Sequence, residues 1–150
     1  MRLALIPLTL LCLSAADRPD FSGDWKMDAV KSSFGQLPRP VEYERRIDHQ
    51  EPEIRMKVRQ VSQQGEQTVD LTLRTDGRET SNKSRTGETK TTGKWVDRDL
   101  QLTTTREVEG GQAVTRETWS LSEDGKTLTS VTLMRTPRGA FEVKMVLNKQ

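Results

Sequence analysis

The sequence predicts an all-β fold: an up-and-down antiparallel meander closing into a barrel of about 8–10 strands, with one short helical crossing near the N-terminus. Three observations carry that prediction. Apolar and polar residues alternate with period two from Phe21 to Leu147 almost without a break. Turn signals punctuate the alternation, among them Gln63-Gln64-Gly65, Thr75-Asp76-Gly77, Glu109-Gly110-Gly111, Glu123-Asp124-Gly125 and Pro137-Arg138-Gly139. The connections are short, so neighbours in sequence must pair with each other. A sheet of so many strands with one apolar face either stacks on itself or closes, and closure removes its edges. An open half-barrel or a sandwich satisfies the same alternation.

Residues 1–16 read as a signal peptide. Met1-Arg2 is followed by the apolar run Leu3 to Leu13 and by Ser14-Ala15-Ala16, with cleavage after Ala16. The run is short and broken by Pro7, so it makes no stable membrane span. Leu11 stands before Cys12 where a lipid-anchored leader needs a small residue. The expected address is therefore secreted or periplasmic, and the expected domain is 17–150. Cys12 is the only cysteine and lies in the leader, which removes the disulfide scaffold, the thiolate nucleophile and the zinc–thiolate site together. Lys+Arg total 24 against 22 Asp+Glu, interleaved along the chain, so nothing forms the basic stripe of a nucleic-acid binder.

The first strand is Phe21-Ser22-Gly23-Asp24-Trp25-Lys26-Met27, with Phe21, Gly23, Trp25 and Met27 on one face. A glycine beside an inward tryptophan allows close approach of a neighbouring chain. Asp28 to Gly35 is the helical candidate: Asp28 caps it, Gly35 ends it, and Val30 with Phe34 would face the barrel. Leu37-Pro38-Arg39-Pro40 is extended and crosses the end of the sheet. Strands then come around Val41 to Ile47, Ile54 to Val58, Val69 to Leu73, Thr80 to Asn82, Lys94 to Val96, Leu100 to Thr104, Val114 to Leu121, Leu128 to Met134 and Phe141 to Leu147. The last should pair with the first.

The Gly-x-Trp opening ahead of a strand-only chain resembles the first motif of the lipocalins and their calycin relatives. Phe21 to Lys26 and Trp119 to Leu128 also resemble pieces that recur in small exported lipocalin-like proteins of soil bacteria. The plan lies between that of the lipocalins and that of the fatty-acid-binding proteins. The resemblance implies a binding cup, with Gly23 and Trp25 as structural motif residues. It also implies a late arginine packed on the first tryptophan, for which Arg135 is the nearest counterpart by position.

The inward face carries residues that a solid core would not need. Tyr43 and Arg45 share the face of Ile47, Arg106 that of Leu100 and Leu102, and Glu117 that of Trp119, with Thr91, Thr115 and Thr132 also candidates. A buried guanidinium requires an anion or a carboxylate. Two arginines and a tyrosine resemble the way fatty-acid-binding proteins hold a carboxylate head. The resulting expectation is a small hydrophobic or amphipathic ligand, anionic in its sharper form. Its head would sit at Tyr43, Arg45 and Arg106, and its tail against Met56, Leu71 and Phe141. Glu117 paired with either arginine would close the same network without a ligand, and one bulge would turn either arginine outward.

The remaining chemistry is sparse. His49, the only histidine, sits beside the Pro52 turn and reads as an exposed turn residue, although lipocalin-like haem barrels use one histidine on iron. Asp97 with Asp99 and Glu107 with Glu109 read as solvated turn charges. Asn82-Lys83-Ser84 matches the glycosylation acceptor pattern. No acid–base pair, catalytic residue, metal cluster or cofactor is expected, so an enzyme such as a calycin-type isomerase or cyclase has little behind it. The alternative to a small-molecule binder is a macromolecule-binding barrel, such as a lipocalin-like protease inhibitor or an envelope interaction protein. That barrel would work through its rim loops or through Asp17-Arg18-Pro19-Asp20, over an interior packed solid.

Overall fold

The computed structural model describes residues 17–150, and the leader assigned to 1–16 lies outside the described residues. Ten strands form one sheet: β1 Gly23–Met27, β2 Glu42–Gln50, β3 Glu53–Ser62, β4 Gly65–Arg74, β5 Thr80–Ser84, β6 Gly87–Val96, β7 Asp99–Val108, β8 Gly111–Leu121, β9 Thr127–Thr136 and β10 Gly139–Lys149. Every paired neighbour is antiparallel, in the order β4-β3-β2-β1-β10-β9-β8-β7-β6-β5. The chain ends do meet: Trp25 stands opposite Lys149 and Met27 opposite Leu147.

The ring is nearly closed, and its seam falls in mid-chain between β4 and β5. There a side chain replaces the ladder. Thr72 N–H donates to Asn82 Oδ1 at 2.8 Å and Asn82 Nδ2 donates to Thr72 O at 2.9 Å, so one amide copies the pair of bonds that two strands exchange. Asn82 is buried in that role, not presented as an acceptor for sugar. Beyond it, the end of β4 passes so close to β6 that a Cβ on Gly93 would stand 2.2 Å from Arg74 O.

The expected helical crossing does not form. Asp28 does cap, its Oδ1 accepting from the amides of Val30 and Lys31 at 3.1 Å, but the next residues make a run of turns. Ser33 leaves the turn to bridge Lys144 of β10, and each accepts the other's amide. The sheet edge offers that stretch better hydrogen bonds than one isolated helical turn could. Val30 is consequently 94% exposed instead of facing the barrel, whereas Phe34 does turn inward.

Alternation buries a continuous core of Phe21, Trp25, Ile47, Ile54, Leu100, Leu102, Trp119, Leu128 and Leu147. Most of it lies at one end of the barrel, where β1 begins and β2, β4, β6, β8 and β10 finish. Phe21 closes that end, stacked on Trp95 with ring centroids 5.8 Å apart and edge-on to Trp119 at 5.4 Å. The opposite end carries the 34–40 crossing and is the mouth.

Candidate functional site

The Gly-x-Trp opening has a specific partner. Lys149 Nζ lies 5.5 Å from the centre of the Trp25 ring, and a Cβ on Gly23 would stand 2.7 Å from Lys149 Cε. Gly23 also has φ +141°, a conformation side chains rarely adopt. The cation on the first tryptophan is thus Lys149. Arg135, the expected counterpart, is exposed in β9, because its place opposite Ala140 and Val114 puts it on the outward face.

At the mid-height of the barrel β2 delivers Tyr43 and Arg45 inward, and β8 delivers Glu117 and Trp119. Arg45 is the centre of this group. Its Nε donates to Tyr43 Oη at 3.0 Å and its Nη2 to Glu117 Oε1 at 2.9 Å. Its guanidinium lies 5.2 Å from the centre of the Trp119 ring, covering the apolar core beneath. Glu117 Oε1 also accepts from Trp119 Nε1 and from Ser130 Oγ, both at 2.6 Å. Burial works against both charges, yet each carries a neighbour that outweighs it. Arg45 is held above the ordinary arginine value by Tyr43 and Glu117, and Glu117 below the usual carboxylate value by Arg45, Ser130 and Trp119. The pair is therefore ionised and joined, as the ligand-free closure of the network required.

One donor is left over. Arg45 Nη1 is buried without a hydrogen-bond partner. Arg45 and Tyr43 line a cavity of about 820 Å³ that opens at the mouth, under Phe34, Leu37 and Pro40 of the crossing segment. Its other walls are mixed, with Thr132, Met134, Val143 and Met145 on one side and Gln60 and Gln67 on the other. Leu37 to Pro40 thus roofs the barrel end, in keeping with its two prolines.

The other expected site residues fall elsewhere. Arg106 keeps the inward parity of β7 but sits near the strand's mouth end, where its Nη1 donates to Thr86 Oγ1 at 3.0 Å. It does not join the Arg45 group, because Leu102, four pairs nearer the core, is the residue opposite Glu117. Met56 pairs with Ile47 on one side and with Leu71 on the other, one step towards the packed end, and the two belong to the core and its fringe. Phe141 is half-buried opposite Met134. The apolar wall beside Arg45 is made instead by Met134, Val143 and Met145. Thr91 is buried and bonded to Thr104 at 2.9 Å, and Thr132 reaches the cavity.

His49 corrects the reading of an exposed turn. It is buried at the packed end, on the same face as Ile47. Its Nδ1 accepts the Phe21 amide at 3.2 Å, so Nε2 carries the proton towards Glu51 Oε1 at 2.8 Å. Glu51 also takes Trp95 Nε1 at 3.1 Å and Thr75 Oγ1 at 2.7 Å. This network ties the segment before β1 across the barrel base. The period-two pattern of β2 could have revealed His49 as inward, since it is in phase with Tyr43, Arg45 and Ile47.

Neither a protein-family model nor a curated protein matches this chain. Solved structures do. An abundant heat soluble (SAHS) protein from Ramazzottius varieornatus aligns with TM-score 0.64 at 11% identity, over 86% of this chain and 94% of that one. Zebrafish ileal bile acid-binding protein, complexed with cholic acid, aligns with TM-score 0.60 at 13% identity, over 87% and 98%. Lipid binding protein 8 of Caenorhabditis elegans aligns with TM-score 0.62 at 9% identity, over 87% and 95%. The fold is thus an up-and-down β-barrel of the lipocalin-like and fatty-acid-binding-protein-like kind, and two of these neighbours are binding proteins by name.

Proposed function

We propose that this chain is an exported carrier that holds one small amphipathic molecule in the mouth cavity. The observation that carries the reading is the cavity itself: about 820 Å³, walled on one side by Met134, Val143 and Met145 and floored by Tyr43 and Arg45. A pocket of that size with one apolar wall facing a polar one suits a small amphipathic ligand. The bile acid-binding and lipid-binding neighbours support the same class of cargo. A macromolecule-binding barrel needed a solid interior, and the cavity weighs against it. An anionic head, expected from Tyr43, Arg45 and Arg106 together, meets at the floor only the Arg45 guanidinium, which already has a carboxylate partner. The apolar leader at residues 1–16 supports export to the periplasm or the medium.

The test is mass spectrometry of the protein purified without detergent or organic solvent, first intact and then after extraction. One lipid-like molecule per chain is expected, lost on extraction and regained on titration with amphiphiles. Protein that leaves its source empty and takes up no amphiphile would remove the reading.

A further inference from the structure

The charge balance at the cavity floor says what kind of head the ligand carries. Resting on the carrier reading above, we infer that the ligand's polar end is uncharged: a hydroxyl or a carboxamide, not a carboxylate, phosphate or sulfate. Two cations line the cavity, Arg39 in the roof and Arg45 at the floor; the floor's guanidinium is already paired with the Glu117 carboxylate at 2.9 Å, so the floor itself presents no net charge. It is still chemically unfinished. Arg45 Nη1 is a buried donor without an acceptor, and Tyr43 Oη, which accepts from Arg45 Nε, keeps its own proton to donate. All three donors to Glu117 converge on Oε1, and the side chain is 20% exposed, which leaves Oε2 as a further acceptor beside the pair. The site thus offers two donors and one acceptor around a neutral pair. A carboxamide satisfies all three, and a hydroxyl can both accept from Arg45 and donate to Glu117.

An ionised head fits worse. The guanidinium fork is planar, so an anion on Nη1 would stand within roughly 5–6 Å of the Glu117 carboxylate. Two negative charges would then share one cation in a largely buried site, and like charge disfavours the second. A fatty acid could enter only after taking up a proton, and its apparent affinity would fall with rising pH.

The experiment compares heads on one tail. Dodecanamide, dodecan-1-ol and dodecanoate are titrated calorimetrically into the purified protein at a pH of about 8, where the carboxylate is fully ionised. The amide or the alcohol should bind about tenfold or more tightly than dodecanoate. Glu117→Gln should narrow or reverse that order, because it removes the repelling charge. Dodecanoate binding as well as or better than both neutral probes at that pH overturns the inference and leaves the carrier reading standing. Failure of all three probes to bind overturns the carrier reading and the inference with it. The ranking on the unaltered protein decides the matter even if the Glu117 variant does not fold.

Discussion

The two ends of this barrel are built from the same strands and differ in what those strands point inward. At the base, Phe21, Ile54, Leu100, Trp119, Leu128 and Leu147 have no solvent exposure, and Trp25 has almost none. At the mouth, Gln60, Gln67, Thr132 and Met134 line open space. Each strand changes character along its length. β2 runs from Tyr43 and Arg45 to Ile47, β8 from Thr115 and Glu117 to Trp119 and Leu121, and β7 back from Leu100 and Leu102 to Thr104 and Arg106. Alternation therefore specifies the barrel, while the gradient within the inward set divides it into a stabilising base and a hollow top. Arg45, its guanidinium stacked over Trp119, marks the boundary.

The comparison breaks most directly at its extremes. Trp119→Ala empties a fully buried indole and should cost about 3–5 kcal/mol in chemical denaturation. Met134→Ala, a half-buried wall of the cavity, should cost under about 1 kcal/mol. Equal losses at the two positions would mean that the mouth is as tightly packed as the base. The boundary is tested next. Arg45→Met leaves Glu117 with no cation in a largely buried place and should cost about 2–4 kcal/mol. Adding Glu117→Met removes the stranded charge as well, so the double variant should return to within about 1 kcal/mol of the parent. A double variant as unstable as the single one would show that the pair, and not the charge left behind, holds the floor in place.

The gradient also explains what could be read from sequence. The ten strands, the pairing of the last with the first and the inward Tyr43, Arg45 and Glu117 all come from period two and turn chemistry, which act locally. The errors have non-local causes. Asp28 to Gly35 has a sound cap, yet Ser33 finds backbone partners on Lys144, more than a hundred residues away. Order in the chain points to Arg135, whereas Lys149 reaches Trp25 because register sets it opposite. Asn82 shows in sequence only as part of a glycosylation pattern, because no sequence rule announces a seam whose two edges one amide must join. The neighbouring proline turn misleads at His49, whose phase within β2 is the better guide. Arg106 has the right face but the wrong height, a quantity alternation does not carry.

The smallest effect sharpens the comparison, because it asks whether the base is held by packing alone. Glu51 collects His49, Thr75 and Trp95 beneath Phe21. Burial pushes its carboxyl up, and the hydrogen bonds from Thr75 and His49 more than offset that, so its pKa lies below the ordinary 4.5. A folded-state pKa below the unfolded one adds stability that is present above the unfolded value and lost as pH falls through the folded one. The side chain is 38% exposed, so solvent screening limits the contribution to under about 1 kcal/mol. Denaturation midpoints of Glu51→Gln and the parent should therefore converge as pH falls from about 5 to 3, the parent losing more over that window. Glu117, also depressed, titrates in both proteins and cancels from the difference. Parallel midpoints across the acid range would leave Phe21, Trp95 and Trp119 to hold the base by contact alone, and the Glu51 network would then serve only to orient the segment before β1.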